Sequence, residues 1–200
     1  MTPDPRQFAP AAARNREPIL EVLRGVLPAA GLVLEVASGT GEHVAHFAAG
    51  LPGLIFQPTE FDAGRRESVD AWTAGLGNVR PAVALDASGD AWPVEAADAI
   101  VCINMIHIAP WAAAEGLMRG ARRVLPVGGV VVLYGPFKRE GQHTAESNVA
   151  FDASLRGRDA AWGVRDLEAV TALAEGAGLR LEAVAEMPAN NLTVVYRRAR

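Results

Sequence analysis

The sequence predicts an α/β fold, a mostly parallel sheet covered by helices on both faces. Three observations predict it. A short apolar run, Leu32-Val33-Leu34-Glu35-Val36, leads into a turn of small residues, Ala37-Ser38-Gly39-Thr40-Gly41, and then into an Ala-rich helical pattern from Glu42 to Gly50. That is a strand, a tight turn and a helix start. Strand and helix patterns then alternate along the chain, as parallel strands with crossover helices require. Finally, strand patterns at 179–186 and 192–197 are separated only by Met187-Pro188-Ala189-Asn190-Asn191. A hairpin there puts one antiparallel strand into the sheet.

The elements follow in order. Residues 1–13 are rich in Pro and Ala and read as irregular. Asn15 suits an N-cap, with Pro18 in the first turn of a helix running to about residue 27. A second strand is expected at 54–60, with Pro58 weakening its interior, and an amphipathic helix at 65–74. Strands three, four and five are expected at 82–86, 98–104 and 130–134, with a helix at 110–125 broken by Pro126 and Gly128-Gly129. The polar stretch 135–148 is too long for an ordinary connection. Helices at 147–156 and 165–177 follow it, the second ended by Gly178. The expected division is an N-terminal arm or cap at 1–15 and one ligand-binding Rossmann-like domain at 16–200, with 135–165 as a lid over substrate.

Composition narrows the function. Half of the 200 residues are hydrophobic and 21% are charged, enough for one domain with its own core. A net charge of −4 without a basic stripe argues against nucleic acid as a partner. The single cysteine, Cys102, excludes an intramolecular disulfide framework and suits a reducing compartment. Met1-Thr2-Pro3-Asp4-Pro5-Arg6 lacks the apolar region of a secretion signal, and no apolar run reaches the roughly 18 residues of a membrane span. A cytoplasmic protein without membrane contact, monomer or homodimer, is expected.

The glycine turn decides which ligand is expected. Gly39 and Gly41 permit positive φ and close approach to the backbone, and the helix N-terminus beyond them favours an anionic group. A dinucleotide turn reads G-x-G-x-x-G, but Val44 stands where its third glycine would be. Glu35 would also repel a pyrophosphate, whereas it could accept a hydrogen bond from an ammonium. S-adenosylmethionine carries such an ammonium. Glu35, Ala37, Ser38, Gly39 and Gly41 are therefore candidate cofactor contacts. Strands two and three end in further acidic residues. Glu60, read as sitting at an exposed strand end, can accept both ribose hydroxyls, with Asp62 as the alternative. Asp86, beside Ala87, can accept from an adenine amino group while Phe61 packs on the ring. Asp86 could equally cap a turn.

The pattern Glu35-x-Ala37-Ser38-Gly39-Thr40-Gly41 resembles the first motif of class I S-adenosylmethionine-dependent methyltransferases, with Ala37 at the first glycine position. A narrower resemblance spans nearly the whole chain. Phe8 to Asn15, Glu35 to His43, Val101 to Ile108, Tyr134-Gly135-Pro136-Phe137, Trp162 to Asp166 and Met187 to Leu192 are similar to the DUF938 family. That family resembles methyltransferase-like protein 26. The resemblance implies a three-layer Rossmann-like methyltransferase fold with a seven-stranded sheet in the order 3-2-1-4-5-7-6, the last strand antiparallel. It also implies that Asn104 and Met105, after strand four, lie beneath the transferred methyl beside substrate. It implies no particular substrate.

His107, close to that point, and His143, in the long loop, are candidate acids or bases, and Tyr134 joins them as a catalytic candidate. Phe137, Asp152, Arg156, Arg158, Arg165, Asp166 and Asn190 could surround a substrate. If the arginines faced the pocket they would suit an anion, although such charges usually form a solvated cluster. Trp111, Phe137 and Trp162 could wall the pocket. His43 starts the cofactor helix and could touch that region. His43 and His46 are three apart but no ligand set accompanies them, so no metal is expected. The expected activity is methyl transfer from S-adenosylmethionine to an oxygen, nitrogen or sulfur of a small molecule. The alternatives are a non-catalytic S-adenosylmethionine-binding or partner-binding protein and, with less support, an NAD(P) oxidoreductase.

Overall fold

The computed structural model describes residues 4–200, so what was expected of Met1-Thr2-Pro3 lies outside the described residues. The first helix, α1, spans Pro10–Val26 and starts five residues before Asn15. Pro10 occupies its first turn, where a missing N–H costs nothing. Asn15 is therefore no N-cap: it is buried mid-helix, and its Oδ1 accepts from His43 Nε2 at 2.8 Å. A tertiary contact has replaced the local capping role. Pro18 lies inside the helix rather than at its start.

The glycine turn joins β1 (Gly31–Val36) to α2 (Glu42–Gly50). Next come β2 (Leu54–Thr59) and α3 (Ala63–Thr73). Asp62, the alternative to Glu60, caps α3 by accepting from Arg65 N at 2.8 Å through Oδ1, and it is not among the cavity-lining residues. β3 (Ala99–Ile103) and β4 (Val130–Gly135) flank α4 (Trp111–Val124).

The strand expected at 82–86 is not regular. Instead the chain touches β2 earlier, through isolated parallel bridges Phe56–Val79 and Thr59–Val83. Pro81 lies between these bridges and has no N–H to give to a ladder.

The long polar stretch folds into β5 (Phe137–Arg139) and β6 (Gln142–His143). After α5 (Glu146–Arg158), β7 (Arg165–Asp166) pairs with β5 to complete a small second sheet in the order β6-β5-β7. Asp166 caps α6 (Leu167–Gly176). The hairpin is β8 (Leu179–Met187) and β9 (Asn191–Arg198).

The main sheet runs β2-β1-β3-β4-β9-β8. With the 79–83 segment beside β2, this is the seven-position order implied by the resemblance. Only β9 runs against its neighbours, pairing antiparallel with both β4 and β8. β3 and β4 are buried along their whole length, as parallel strands covered on both faces must be. One face packs α4 and α6, around Leu117, Met118 and Val170. The other packs α1 and α2, around Ile19, Leu23 and Phe47. Cys102 is buried in the first of these clusters as a small core residue. No helix among the described residues is long and apolar enough to cross a membrane.

Candidate functional site

The carboxyl ends of β1, β2 and β3 open onto a cavity of about 620 Å³, a size that suits a small ligand. Its floor is the turn after β1. Ala37, Gly39 and Gly41 all take positive φ there, 59°, 59° and 96°. Ala37 holds the left-handed conformation with a Cβ, at a cost of about 1 kcal/mol that glycine would avoid. A Cβ on Gly39 would stand in open space, the space a ligand would use. A Cβ on Gly41 would lie 2.6 Å from Val69 Cα. Gly41 is therefore a packing glycine between α2 and α3, absent from the cavity lining, and its assignment to the cofactor is corrected. Glu35, Ala37, Ser38, Gly39, Glu60, Phe61, Asp86, Ala87, Asn104 and Met105 all line the one cavity.

Glu35 is the unusual member. It is buried, and neither carboxylate oxygen has a hydrogen-bond partner. Burial pushes its carboxyl up to about 7, Ser38 opposes this in part, and the nearby Glu60 charge adds to it. Ser38 Oγ is itself buried without a partner. Buried polar groups are normally satisfied, and Glu35 with the adjacent Ser38 hydroxyl has only a weak mutual contact, so the pair suits a ligand that donates to the carboxylate. An ammonium matches the carboxylate.

Glu60 is buried too, not exposed as its strand-end position suggested. Its Oε2 accepts from Gly39 N at 2.9 Å and its Oε1 from Asp62 N at 3.2 Å. It thus ties the turn to the end of β2 while retaining lone pairs toward the cavity. Arg66 Nη1 donates to the carbonyls of Glu60 and Phe61 and holds that corner. Phe61 is 72% exposed at the rim, a ring free for stacking. Asp86 accepts from Ser88 N and Oγ at 2.9 and 2.6 Å, which lowers its pKa. It caps the turn and still lines the cavity. Asn104, with φ 62°, turns the chain out of β3 into a single helical turn over Met105–His107.

The three catalytic candidates fall outside the cavity lining. His107 is fully buried, its ring edge-on to Phe137 at 4.8 Å, and its Nδ1 accepts from Arg165 N at 3.2 Å. Burial pushes its pKa down to about 3, and the Arg165 charge lowers it further. Its role as a base is therefore withdrawn: it packs the inner side of the loop after β3. His143 Nε2 lies 3.3 Å from Asp152 Oδ2, in a cluster that includes Lys138 and Arg156. Tyr134 is buried, and its hydroxyl is faced by Asn15 and Asn191.

Of the segment 135–165, Trp162 is the residue that lines the cavity. Phe137 is core, and the Trp111 ring lies under the Arg165 guanidinium at 5.7 Å. The Arg165 guanidinium donates to the carbonyls of Ile106, Ala109 and Ala161, bracing both the loop after β3 and the approach to Trp162. His43 does line the cavity. Ala9, just before α1, and Ala11 and Ala12 in its first turn also line the cavity; they fall within the arm or cap expected at 1–15 without having been singled out, and Arg65 was not named. Pro10 as a helix opener was the available signal for the first three. Among the described residues no group of three or more His, Cys, Asp or Glu could hold a metal ion.

Known proteins share this fold. A family described as "Protein of unknown function (DUF938)" matches residues 6–198. Among solved structures, CalO1, described as a methyltransferase in calicheamicin biosynthesis in its SAH-bound form, superposes with a TM-score of 0.75 at 23% identity, over 94% of this chain and 54% of that one. An O-methyltransferase family protein from Burkholderia thailandensis gives 0.79 at 17% identity, over 94% and 57%. The mitomycin 7-O-methyltransferase MmcR gives 0.76 at 18%, over 94% and 55%. The chain spans about half the length of these structures, and the likeness is one of fold.

Proposed function

The chain belongs to the DUF938 family, and from its cavity we propose that it is an S-adenosylmethionine-dependent methyltransferase acting on a small-molecule nucleophile. The observation that carries this reading is the buried, unpartnered Glu35 carboxylate in the floor of a cavity made at the carboxyl ends of β1, β2 and β3. A pyrophosphate would place negative charge against that carboxylate, whereas an ammonium would satisfy it. The fold shared with methyltransferases supports the same choice. When bound, S-adenosylmethionine supplies an activated methyl group to an oxygen, nitrogen or sulfur nucleophile.

The protein's own residues bind and orient. Glu35 receives the ammonium, and the open Gly39 backbone lets the amino-acid portion approach. Glu60 accepts from the ribose hydroxyls, and Phe61 covers the base at the rim. Asn104, Met105 and Trp162 bound the space where the acceptor meets the methyl. No protein base stands in this scheme, because holding the two reactants together in a dry site supplies much of the rate.

Calorimetry tests it. S-adenosylmethionine or its demethylated product should bind with a micromolar Kd, about −8 kcal/mol, and NADH should not. Gly39→Val, which fills the open space with a side chain, should abolish binding in a folded protein. NADH binding, or undiminished S-adenosylmethionine binding by the variant, would overturn the assignment.

A further inference from the structure

Outside the residues proposed for the cofactor, Arg65 is the one charged side chain among the described residues in the cavity wall. The ionisable lining residues besides His43 are Glu35 in β1, Glu60 just after β2, Asp86, and Arg65 in the first turn of α3, three residues after the Asp62 cap beside Phe61. The rest of the wall includes Ala9 just before α1, Ala11 and Ala12 in its first turn, Ile108-Ala109-Pro110 and Trp162. Arg158 lies with its guanidinium 5.5 Å over the Trp162 ring, and the other nearby charges are engaged with protein groups. Asp152 gathers Lys138, His143 and Arg156 and accepts from Val164 N, and the Arg165 guanidinium is spent on three carbonyls. An ionised acceptor packed against the alanines and Ile108-Ala109-Pro110 would lose its water with no countercharge in contact there, a cost of several kcal/mol.

The polar groups left on this side are His43 and Asn104. His43 Nε2 is 2.8 Å from Asn15 Oδ1. A carbonyl oxygen only accepts, so Nε2 carries the proton and Nδ1 keeps a lone pair. No described residue hydrogen-bonds Nδ1. The ring is held in place from behind, by Asn15 and by Phe47 at 5.6 Å. Burial lowers the ring's pKa to about 4, so it is neutral and accepting at ordinary pH. Resting on the methyltransferase reading above, we propose that the acceptor substrate is an uncharged, largely apolar molecule whose hydroxyl or thiol donates to His43 Nδ1.

The test uses the full chain saturated with S-adenosylhomocysteine and three probes of similar shape: phenol, benzoate and benzylammonium. Binding is read by calorimetry and by the ¹⁵N shift of His43 Nδ1. Phenol should bind at least tenfold more tightly than either ion and should move the Nδ1 resonance. His43→Phe keeps the ring against Phe47 and should weaken phenol about fivefold, the worth of one hydrogen bond. His43→Gln, whose carbonyl can still accept, should restore most of that loss. Neither variant should change S-adenosylhomocysteine affinity more than about twofold. Equal or tighter binding of a charged probe, absence of phenol binding, or unchanged phenol affinity in His43→Phe overturns the proposal. Loss of S-adenosylhomocysteine affinity in both variants also overturns it, by assigning His43 to the cofactor. Failure of the wild-type protein to bind S-adenosylhomocysteine at all sinks the methyltransferase reading instead.

Discussion

Replacing Glu35 by glutamine should stabilise the unliganded protein at high pH while weakening its hold on the cofactor. Glu35 is buried without partners and its carboxyl sits at about 7 in the folded chain, against 4.5 for the free side chain. The folded state therefore holds the proton more tightly than the unfolded state does. The stability linked to that proton is fully present below pH 4.5 and is lost as pH rises through 7. A shift from 4.5 to about 7 corresponds to about 3 kcal/mol. About 2.5 kcal/mol of this falls between roughly pH 5 and pH 8.5.

Glutamine has nearly the same shape but cannot ionise, so it does not incur this loss. Buried His43 and His107, depressed to about 4 and about 3, tilt the whole curve the opposite way, losing stability as pH falls below 6.5. Only the difference between variant and wild type isolates Glu35. Urea denaturation at the two pH values reads it directly. The advantage of Glu35→Gln should grow by about 2.5 kcal/mol on going to the alkaline buffer. In parallel, wild-type affinity for S-adenosylmethionine should rise as pH passes through 7. The variant should bind about 1.5–3 kcal/mol more weakly and lose that pH dependence. Stability curves for the two proteins that stay parallel within about 1 kcal/mol would refute the idea of a forced, ionisable carboxylate in the cavity floor.

Other expectations follow from single contacts. Glu60→Ala frees Gly39 N and Asp62 N, and calorimetry should show cofactor affinity down by about 1.5–3 kcal/mol. Because Glu60 is buried, its melting temperature should fall as well. Gly41→Ala drives a Cβ to 2.6 Å from Val69 Cα at φ 96°. It should destabilise the protein by about 3 kcal/mol, and whatever folds should bind cofactor normally. His107→Gln should cost about 2 kcal/mol of stability through lost packing on Phe137. Once a substrate is found, kcat should change by less than about threefold and the acid limb of the pH profile should not move; a fall of ~10²-fold or more would restore the base.

The chain announces its architecture where one local rule acts alone. The apolar run to Val36, the small residues after it and the start at Glu42 place β1, the turn and α2 as the structure has them. Polar residues closing an apolar run were legible too, as a change of polarity: Glu60 after β2, Asn104 after β3 and Asp86 after the bridge at Val83 all reach the cavity. What misled was competition between local and distant contacts. Asn15 reads as a cap by its type but is claimed by His43, 28 residues on in the sequence and outside the helix. His107 follows a strand end, yet the loop turns at Asn104 and carries the ring inward against Gly135, where a Cβ would lie 2.5 Å from it. Gly41 matches a ligand motif while serving helix packing. The arginines of 135–165 are compatible with an anion site by composition, and only the contacts engage them elsewhere: Arg156 with Asp152, Arg165 with three carbonyls, Arg158 over the Trp162 ring.

The antiparallel β9 has a consequence for how the protein is made. It occupies an interior place, between β4 and β8, although it is the last strand in chain order. As a ribosome releases the chain, β4 emerges first, with its Val130-Val131-Val132-Leu133-Tyr134 run and an outer edge that has nothing to pair with. That edge waits for roughly 60 further residues, about 3–12 s at 5–20 residues per second. For those seconds the nascent chain displays an apolar, unpaired strand of the kind that recruits other chains. Cellular yield of this protein should then depend on translation speed between β4 and β9, and on whatever shields β4 meanwhile, more than on the final stability of the sheet.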